Sequence, residues 1–187
     1  MKLVLASNSP RRKELLNEFG FAFEIISSNY QENALNLSPE EVVKEFAFGK
    51  AKDVFDRVND GNTVVLGADT VVSLDGAILG KPRDKAHAKQ MLKALSNKAH
   101  QVWTGYCIIS PSGVVVDAVK TDVVFNDLLD TLICEYVESE KPLDKAGAYG
   151  IQDGFDLVKE YRGSYNNVVG LPVEIFEKIL KNLLKKS

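Results

Sequence analysis

The segment Ser7–Arg12 (Ser-Asn-Ser-Pro-Arg-Arg) places small polar side chains and two cations where an apolar segment ends and a helix is predicted to begin. Its proline suits the first helical position, and Ser9 or Asn8 can cap the free N–H groups. Arg11 and Arg12 stand in the first turn, where the helix dipole disfavours each cation by roughly 0.3–1 kcal/mol. A bound anion would reverse this penalty, because N–H groups and guanidinium groups would converge on it. We therefore predict a phosphate site here; the alternative is that the arginines extend into solvent.

A single carboxylate, Asp69, interrupts the apolar segment 64–72. An ionised Asp in such a segment is costly to desolvate unless a cation or hydrogen bonds meet it. The small residues Gly67 and Ala68 are expected to leave room for a ligand beside the carboxylate. The alternative is an Asp at a bulge or turn that bonds to nearby backbone.

Further charged residues recur where predicted helices and strands end. Lys50 borders the apolar face of its predicted helix, so that its ammonium either extends to solvent or points into a cleft. Lys81 lies between Gly and Pro in a restrained turn, where a surface lysine is the alternative. Glu32 follows the second predicted strand and adds a carboxylate to Asp69. Two carboxylates with several Lys and Arg suit a triphosphate with Mg²⁺, because hard oxygen ligands hold the metal and cations hold the phosphates.

The composition indicates an ordinary globular enzyme domain. The chain has 187 residues and a net charge of −3, so neither a nucleic-acid nor a membrane partner is expected, and any basic site must be local. Cys107 and Cys134 follow no metal-ligand spacing and are interpreted as thiols in a reducing compartment. The N-terminus carries no signal-peptide pattern and no apolar segment approaches membrane-spanning length, so a cytoplasmic location is expected. His87 and His100 are both expected at the surface.

The hydrophobic pattern predicts a single α/β domain over residues 1–187, with a twisted mixed sheet flanked by helices. Strands are predicted at Lys2–Ala6, Phe21–Ser27, Thr63–Leu74, Val102–Ile109, Val114–Phe125 and Phe155–Val158. Helices are predicted from Pro10 to Phe19, from Pro39 to Val58 after a capping box at Ser38, from Asp84 to about Leu95, from Leu128 to about Val137, and at Pro172–Leu184.

Six motifs in order resemble those of the Maf family of nucleoside triphosphate pyrophosphatases, also called septum formation proteins. They are Ser7-x-Ser9-Pro10-Arg11-Arg12, Gly67-Ala68-Asp69-Thr70-Val71-Val72, Gly80-Lys81-Pro82, Val102-x-Thr104-Gly105, the segment from Asp144 to Gln152 (Asp-Lys-Ala-Gly-Ala-Tyr-Gly-Ile-Gln), and the segment from Gly163 to Pro172. The resemblance covers nearly the whole chain. It implies an elongated α/β fold of the Maf and Ham1 kind, with an active-site cleft between two lobes.

The resemblance also implies an activity: cleavage of a nucleoside triphosphate to the monophosphate and pyrophosphate, with Mg²⁺ or Mn²⁺. Asp69 corresponds to the proton acceptor that activates water, and Glu32 with Asp69 to the metal ligands. The positions linked to substrate choice are Arg12, Thr70 and Gln152; those on the phosphate side are Ser7, Arg11, Arg12, Lys50 and Lys81. A homodimer is also expected.

Two residues depart from the family pattern. Gln31 replaces one residue of the usual acidic pair, so one candidate metal ligand is missing. Asp153 replaces the glycine that usually follows Gln152, which alters a turn close to the expected base pocket.

Gln152 is the residue expected to select the base. Its amide offers an acceptor and a donor side by side, which complement N3–H and O4 of uracil and thymine. A Glu would instead suit the two donors of guanine. We therefore predict dTTP and UTP, or modified pyrimidine nucleotides, as substrates; the alternative is that Gln152 only braces its loop.

A function of another class stays open at this point. The chain could act as a non-catalytic septum-formation regulator that binds a cell-division partner. Such a regulator would have no use for an aspartate inside an apolar strand, and the sequence shows neither a block of charge nor a long exposed heptad pattern.

Overall fold

A computed structural model describes residues 1–33 and 36–185. Its strands are β1 (Lys2–Leu5), β2 (Glu24–Ile25), β3 (Thr63–Leu74), β4 (Ala77–Leu79), β5 (Ala99–Ser110), β6 (Gly113–Phe125) and β7 (Val158–Arg162). Its helices are α1 (Pro10–Glu18), α2 (Pro39–Val58), α3 (Lys85–Leu95), α4 (Asp130–Glu138), α5 (Tyr165–Val169) and α6 (Val173–Lys185). Two short 3₁₀ helices cover Lys141–Asp144 and Ala146–Ala148.

The seven strands form one mixed sheet, which confirms the predicted fold class. Along the sheet the order is β2-β1-β3-β5-β6-β7, and β4 pairs separately with β3. β1 runs parallel to both β2 and β3, whereas the β3–β4 and β6–β7 pairs are antiparallel. The strand predicted at Thr63–Leu74 has the predicted bounds.

Capping chemistry sets the start of two helices as predicted. At α2, Ser38 Oγ accepts a hydrogen bond from the Glu41 N–H at 3.3 Å, and the Glu41 carboxylate accepts from the Ser38 N–H at 2.9 Å. At α3, the Asp84 carboxylate accepts from the His87 N–H at 2.7 Å. Each contact satisfies an N–H group that has no partner within its helix.

Two predicted strands are wrong in extent. The strand predicted at Phe21–Ser27 is reduced to Glu24–Ile25. The strand predicted at Phe155–Val158 begins where that segment ends and continues through polar residues to Arg162. β7 lies at one end of the strand order and is mostly exposed, so it needs no apolar alternation, while Leu157 before it is buried in the core.

The Cα positions divide the chain into two compact units, each with its own hydrophobic core. The first unit comprises Met1–Asp69, Thr104–Val119 and Gly170–Ser187, and the second comprises Thr70–Trp103 and Lys120–Val169. In the first unit, β1, β3 and β5 contribute to a core with α2 that contains Val4, Ala47, Ala51, Val54, Val65 and Cys107. In the second unit, four apolar residues of α3, Ala88, Met91, Leu92 and Leu95, are buried in the core. The single domain predicted over 1–187 stays a prediction.

Within residues 1–33 and 36–185, every helix is too short or too polar to cross a lipid bilayer.

Candidate active site

Two glycines bring helix α2 unusually close to the strands beneath it. A Cβ added at Gly67 would lie 2.4 Å from the Ala47 carbonyl oxygen, and one added at Gly105 would lie 2.2 Å from the Val43 carbonyl oxygen. Both distances are well below van der Waals contact with helix backbone. The expectation that Gly67 leaves room for a ligand is therefore wrong, because α2 itself fills the space.

This close packing places a lysine of α2 against the predicted catalytic carboxylate. Lys50 Nζ lies 2.7 Å from Asp69 Oδ1 and 2.6 Å from Glu32 Oε1. The Lys50 side chain is 16% exposed and that of Asp69 is 12% exposed, so the contact is largely shielded from water. The Lys50 ammonium therefore does not extend into solvent but is held by Asp69 and Glu32, and the alternative in which it points into a cleft stays a prediction.

Burial and neighbouring charges act on Asp69 in opposite directions. Burial raises the pKa of Asp69 above its ordinary value of 3.8, whereas Lys50 and Arg12 lower it; burial has the larger effect. A carboxylate with a raised pKa is a better proton acceptor near neutral pH than an ordinary aspartate. The bulge-or-turn interpretation, with Asp69 bonded to nearby backbone, does not account for its contact with Lys50.

Arg12 is buried and bonded to the protein instead of extending into solvent. Its Nε donates to the Gly170 carbonyl at 2.9 Å, and its Nη1 donates to the Ala68 carbonyl at 3.0 Å and to Ser7 Oγ at 3.2 Å. Burial lowers the pKa of Arg12 while the charge of Asp69 opposes that shift. Because guanidinium groups stay protonated in proteins, Arg12 supplies a fixed positive charge beside Asp69.

The first turn of α1 differs from the predicted capping arrangement. Ser9 occupies the N-cap position, but its side chain makes no capping hydrogen bond. Its N–H donates to Ser7 Oγ at 3.2 Å, while Asn8 Oδ1 accepts from Ser27 Oγ at 2.8 Å. Arg11 is half-buried in the same turn, and its charge acts on Arg12. The predicted phosphate residues of α1 thus lie together, with no side-chain cap from Ser9 or Asn8.

The carboxylates of Glu32 and Asp69 suit a divalent cation whose remaining ligands are substrate phosphates. Glu32 and Asp69 direct one oxygen each at the same ammonium, so both can reach one cation. Among residues 1–33 and 36–185, no cluster of three or more His, Cys, Asp or Glu side chains suits a metal. Mg²⁺ is commonly held by one or two carboxylates together with substrate phosphates, so two carboxylates fit that ion.

Three predicted site residues lie in the second unit. Thr70 follows Asp69 along β3 and is half-buried, and Lys81 is exposed in the turn after β4. The carbonyl of Gly80 in that turn accepts from the Gly147 N–H at 3.0 Å. Gln152 is exposed in the loop that follows the second 3₁₀ helix. The predicted roles of these three residues stay predictions.

The expectation that His100 lies at the surface is wrong. His100 is 3% exposed, and its Nε2 lies 2.8 Å from the hydroxyl of Tyr149, which precedes Gly150 and Gln152 in the predicted base-recognition loop. Burial lowers the pKa of His100 to about 4, so the ring is neutral at pH 7. Its polar neighbours in sequence concealed this position, because β5 places His100 against the aromatic rings of Phe125 and Tyr149.

The chain is similar to known proteins over almost its whole length. The family model described as Maf-like protein matches residues 2–183. The chain is 49% identical over 178 residues to the dTTP/UTP pyrophosphatase of Thermococcus gammatolerans, covering 95% of this chain and 94% of that one. The dTTP/UTP pyrophosphatase of Alkaliphilus oremlandii is 47% identical, with 97% and 95% covered. For that of Bacillus anthracis the identity is 46%, with 96% and 94% covered.

Among solved structures, the Ham1 protein of Staphylococcus aureus has a similar fold. It superposes with a TM-score of 0.58 at 16% identity, over 97% of this chain and 99% of that chain. The likeness supports the fold alone. The family model spans almost every residue and the named relatives are nearly half identical, so the chain belongs to the Maf family.

Proposed function

We propose that this protein hydrolyses dTTP and UTP to the nucleoside monophosphate and pyrophosphate, with Asp69 as the proton acceptor. The observation that carries the proposal is the buried carboxylate of Asp69, held 2.7 Å from Lys50 Nζ beside the buried charge of Arg12. The relatives named dTTP/UTP pyrophosphatase support the nucleotide assignment. A regulator that acts only by binding a partner does not require a desolvated carboxylate among cations.

The reaction needs a base for water and cations for the phosphates. Asp69 accepts a proton from water, whose oxygen bonds to the α-phosphorus while the bond to the bridging oxygen breaks and pyrophosphate leaves. Lys50 lies beside the base and is placed to stabilise charge on the phosphates. Ser7, which precedes α1, and Arg11 and Arg12 in its first turn bind phosphate oxygens; the phosphate role of Lys81 stays a prediction from the family resemblance. Phosphoryl transfer depends mainly on such positioning and electrostatic stabilisation, so the proposed reaction uses water as the nucleophile and needs no nucleophilic side chain.

A divalent cation, Mg²⁺ or Mn²⁺, completes the proposed site. Glu32 would be its main protein ligand, because Asp69 cannot accept a proton and saturate a metal at the same instant. When bound, the cation neutralises phosphate charge that Lys50 and the arginines do not reach. Gln31 lies next to Glu32, where the family usually has a second carboxylate. Its side-chain amide donates a hydrogen bond to the Asn29 carbonyl, so it does not replace that carboxylate as a metal ligand.

The decisive experiment is a nucleotide panel with product identification. Purified protein with Mg²⁺ or Mn²⁺ is incubated with UTP, dTTP, CTP, GTP and ATP, and the products are separated by ion-exchange chromatography. We expect monophosphate and pyrophosphate in equal amounts, fastest from UTP and dTTP, and no diphosphate. Release from none of the nucleotides would overturn the enzymatic proposal and favour the binding-only regulator. An Asp69→Asn preparation purified in parallel measures contaminating phosphatase.

Base recognition is tested by Gln152→Glu, which is nearly isosteric. The change places an acceptor opposite O4 of uracil, and a mismatched polar contact discriminates strongly because buried groups lose their partners. We expect kcat/KM for UTP and dTTP to fall by at least ~10-fold, or about 1.4 kcal/mol, while activity on GTP is retained. The comparison is made above pH 6, where the new carboxylate is ionised. An unchanged UTP-to-GTP preference would show that Gln152 does not read the base.

The two cysteines bear on the compartment in which the protein works. Both cysteines are free, with Cys107 buried and Cys134 exposed, as is usual in a reducing compartment. We accordingly place the enzyme in the cytoplasm. The homodimer expected from the family resemblance stays a prediction.

A further inference from the structure

The side chain of Asp153 is buried in the loop that carries Gln152 and contacts two donors there. It is 8% exposed. Its Oδ2 accepts a hydrogen bond from the Tyr136 hydroxyl at 2.5 Å and lies 3.3 Å from Lys145 Nζ. Tyr136 belongs to α4 and is fully buried, so Asp153 ties the loop to a helix of the second core. A glycine at this position, as in the usual family pattern, could accept neither contact.

The same tyrosine closes a ring of hydrogen bonds around Gln152. The Gly150 N–H donates to the Tyr136 hydroxyl oxygen at 2.9 Å, and the Asp153 N–H donates to the Gly150 carbonyl at 3.1 Å. Gly150 and Asp153, which flank Ile151 and Gln152, are thereby bound to one another and to one phenol. Packing is close as well, since a Cβ at Gly150 would lie 2.8 Å from Lys145 Cε and 2.9 Å from Asp153 Cγ.

Outside contacts reinforce both ends of this loop. Lys141 Nζ donates to the Asp153 carbonyl at 3.0 Å, and Lys145 Nζ also donates to the Lys141 carbonyl. Upstream, the Tyr149 hydroxyl lies 2.8 Å from His100 Nε2. Charged and aromatic partners thus hold the backbone on either side of Gln152.

Gln152 itself takes no part in this bracing. Its side chain is exposed, and within the described residues its amide has no hydrogen-bond partner. The alternative in which Gln152 only braces the loop is therefore not supported, because Asp153, Tyr136 and Lys145 make the bracing contacts. A residue that is held by its neighbours and has an uncommitted amide is suited to bind a ligand.

We propose that Asp153 is a positioning residue that, through Tyr136 and Gly150, holds the backbone around Gln152 so that the Gln152 amide meets a pyrimidine base. This inference rests on the proposed function of Gln152. A loop ordered before binding loses less conformational freedom when the nucleotide arrives, so its effect falls on affinity and base preference. The ring holds the base-recognition loop and supplies no group to the proposed proton transfer at Asp69, so kcat should change much less than KM.

The test compares Asp153→Ala, Asp153→Asn and Tyr136→Phe with the wild type. Asp153→Ala and Tyr136→Phe should each raise KM for UTP at least about 5-fold and reduce the UTP-to-GTP preference, with kcat changed less than about 3-fold. Asp153→Asn keeps an acceptor for the Tyr136 hydroxyl and should recover part of the loss. Asp144→Asn is the matched control, because it removes another carboxylate next to Lys145 from an exposed side chain outside the ring; it should leave KM unchanged.

Amide hydrogen exchange over residues 148–154 gives a second readout that needs no nucleotide. Asp153→Ala and Tyr136→Phe should accelerate exchange of the Gly150 and Asp153 amides, while Asp144→Asn should not. All variants are assayed well below their unfolding temperatures; if Asp153→Ala does not fold, Asp153→Asn and Tyr136→Phe decide the question. Unchanged KM, preference and exchange in folded variants would overturn the inference.

Gln152→Ala separates this inference from the proposed function. If Gln152→Ala leaves base preference unchanged, the proposed reading of the base by Gln152 fails. If Gln152→Ala changes the preference but the Asp153 and Tyr136 variants do not, only the positioning role of Asp153 fails.

Discussion

At the scale of single residues, the carboxylate of Asp69 lies in a position that is largely shielded from water. Replacing it with Asn preserves size and a hydrogen bond to Lys50 but removes the proton acceptor. We expect Asp69→Asn to lower kcat for UTP by a factor on the order of 10²–10⁴. Thermal unfolding should change little or shift upward, because a desolvated charge is removed. Near-normal turnover in this variant would show that another group accepts the proton.

Arg12 has a structural contribution that its position in the sequence does not reveal. Its guanidinium donates to the Gly170 and Ala68 carbonyls and to Ser7 Oγ, and it is also predicted to bind phosphate. Arg12→Ala should therefore lower the free energy of unfolding by roughly 1–3 kcal/mol as well as reduce activity, because buried hydrogen bonds are lost. From the sequence alone, we would expect this variant to retain nearly full stability.

Arg11→Ala is the matched control for that experiment, since it removes the same charge from a half-buried position in the same turn. It should reduce activity with a smaller loss of stability, measured by urea unfolding of the two variants side by side. Equal stability losses would show that the buried bonds of Arg12 are not what stabilises the region.

At the scale of elements, the contact between α2 and β3 sets the distance between Lys50 and Asp69. Gly67→Ala would place a methyl group 2.4 Å from the Ala47 carbonyl oxygen and 2.8 Å from the Ala51 nitrogen. Both are backbone atoms of α2, so the helix would have to shift to relieve the clash. We expect a loss of roughly 1–3 kcal/mol in the free energy of unfolding, since overpacking forces backbone shifts. Turnover should fall as well, because α2 carries Lys50.

Gly80→Ala provides the comparison for stability, because a Cβ there meets nothing within 4 Å. Circular dichroism melts of both variants should show a clear loss for Gly67→Ala and little change for Gly80→Ala. Similar melting temperatures would indicate that α2 can move away from the strand with little loss of free energy of unfolding.

Elements with strong local signals were predictable, and those without them were not. The capping box at Ser38 predicted α2 and the start signal at Asp84 predicted α3, since these signals depend on neighbours three or four residues apart. β4 and α5 were not predicted, because three-residue strands and five-residue helices carry too little periodicity to detect.

At the scale of the whole molecule, the core of the second unit makes stability depend on pH through His100. Its pKa falls from 6.5 to about 4 on burial, so the unfolded chain binds this proton more tightly. The stabilisation from neutral His100 is fully present above about pH 6.5 and is lost as pH falls towards 4. Between pH 7.5 and pH 5 we expect the free energy of unfolding to decrease by about 2 kcal/mol from this group.

Urea titrations of wild type and His100→Gln at the two pH values isolate this contribution. The raised pKa of Asp69 acts in the opposite direction, because that group's contribution to stability increases as pH falls. Since Asp69 is present in both proteins, the difference between their pH dependences belongs to His100. Parallel pH dependences would contradict the assignment.

The sequence by itself determined the local chemistry of this protein: the motif order that carries the family resemblance, the capped helices, and the residue types a triphosphate site needs. Only the tertiary structure decided which of these groups meet. That Lys50 bridges Asp69 and Glu32, that α2 fills the space beside Gly67, and that Asp153 is tied to Tyr136 all depend on contacts between residues 16 or more positions apart. Such contacts arise from how helices pack on a sheet, and no periodicity in a local segment encodes them.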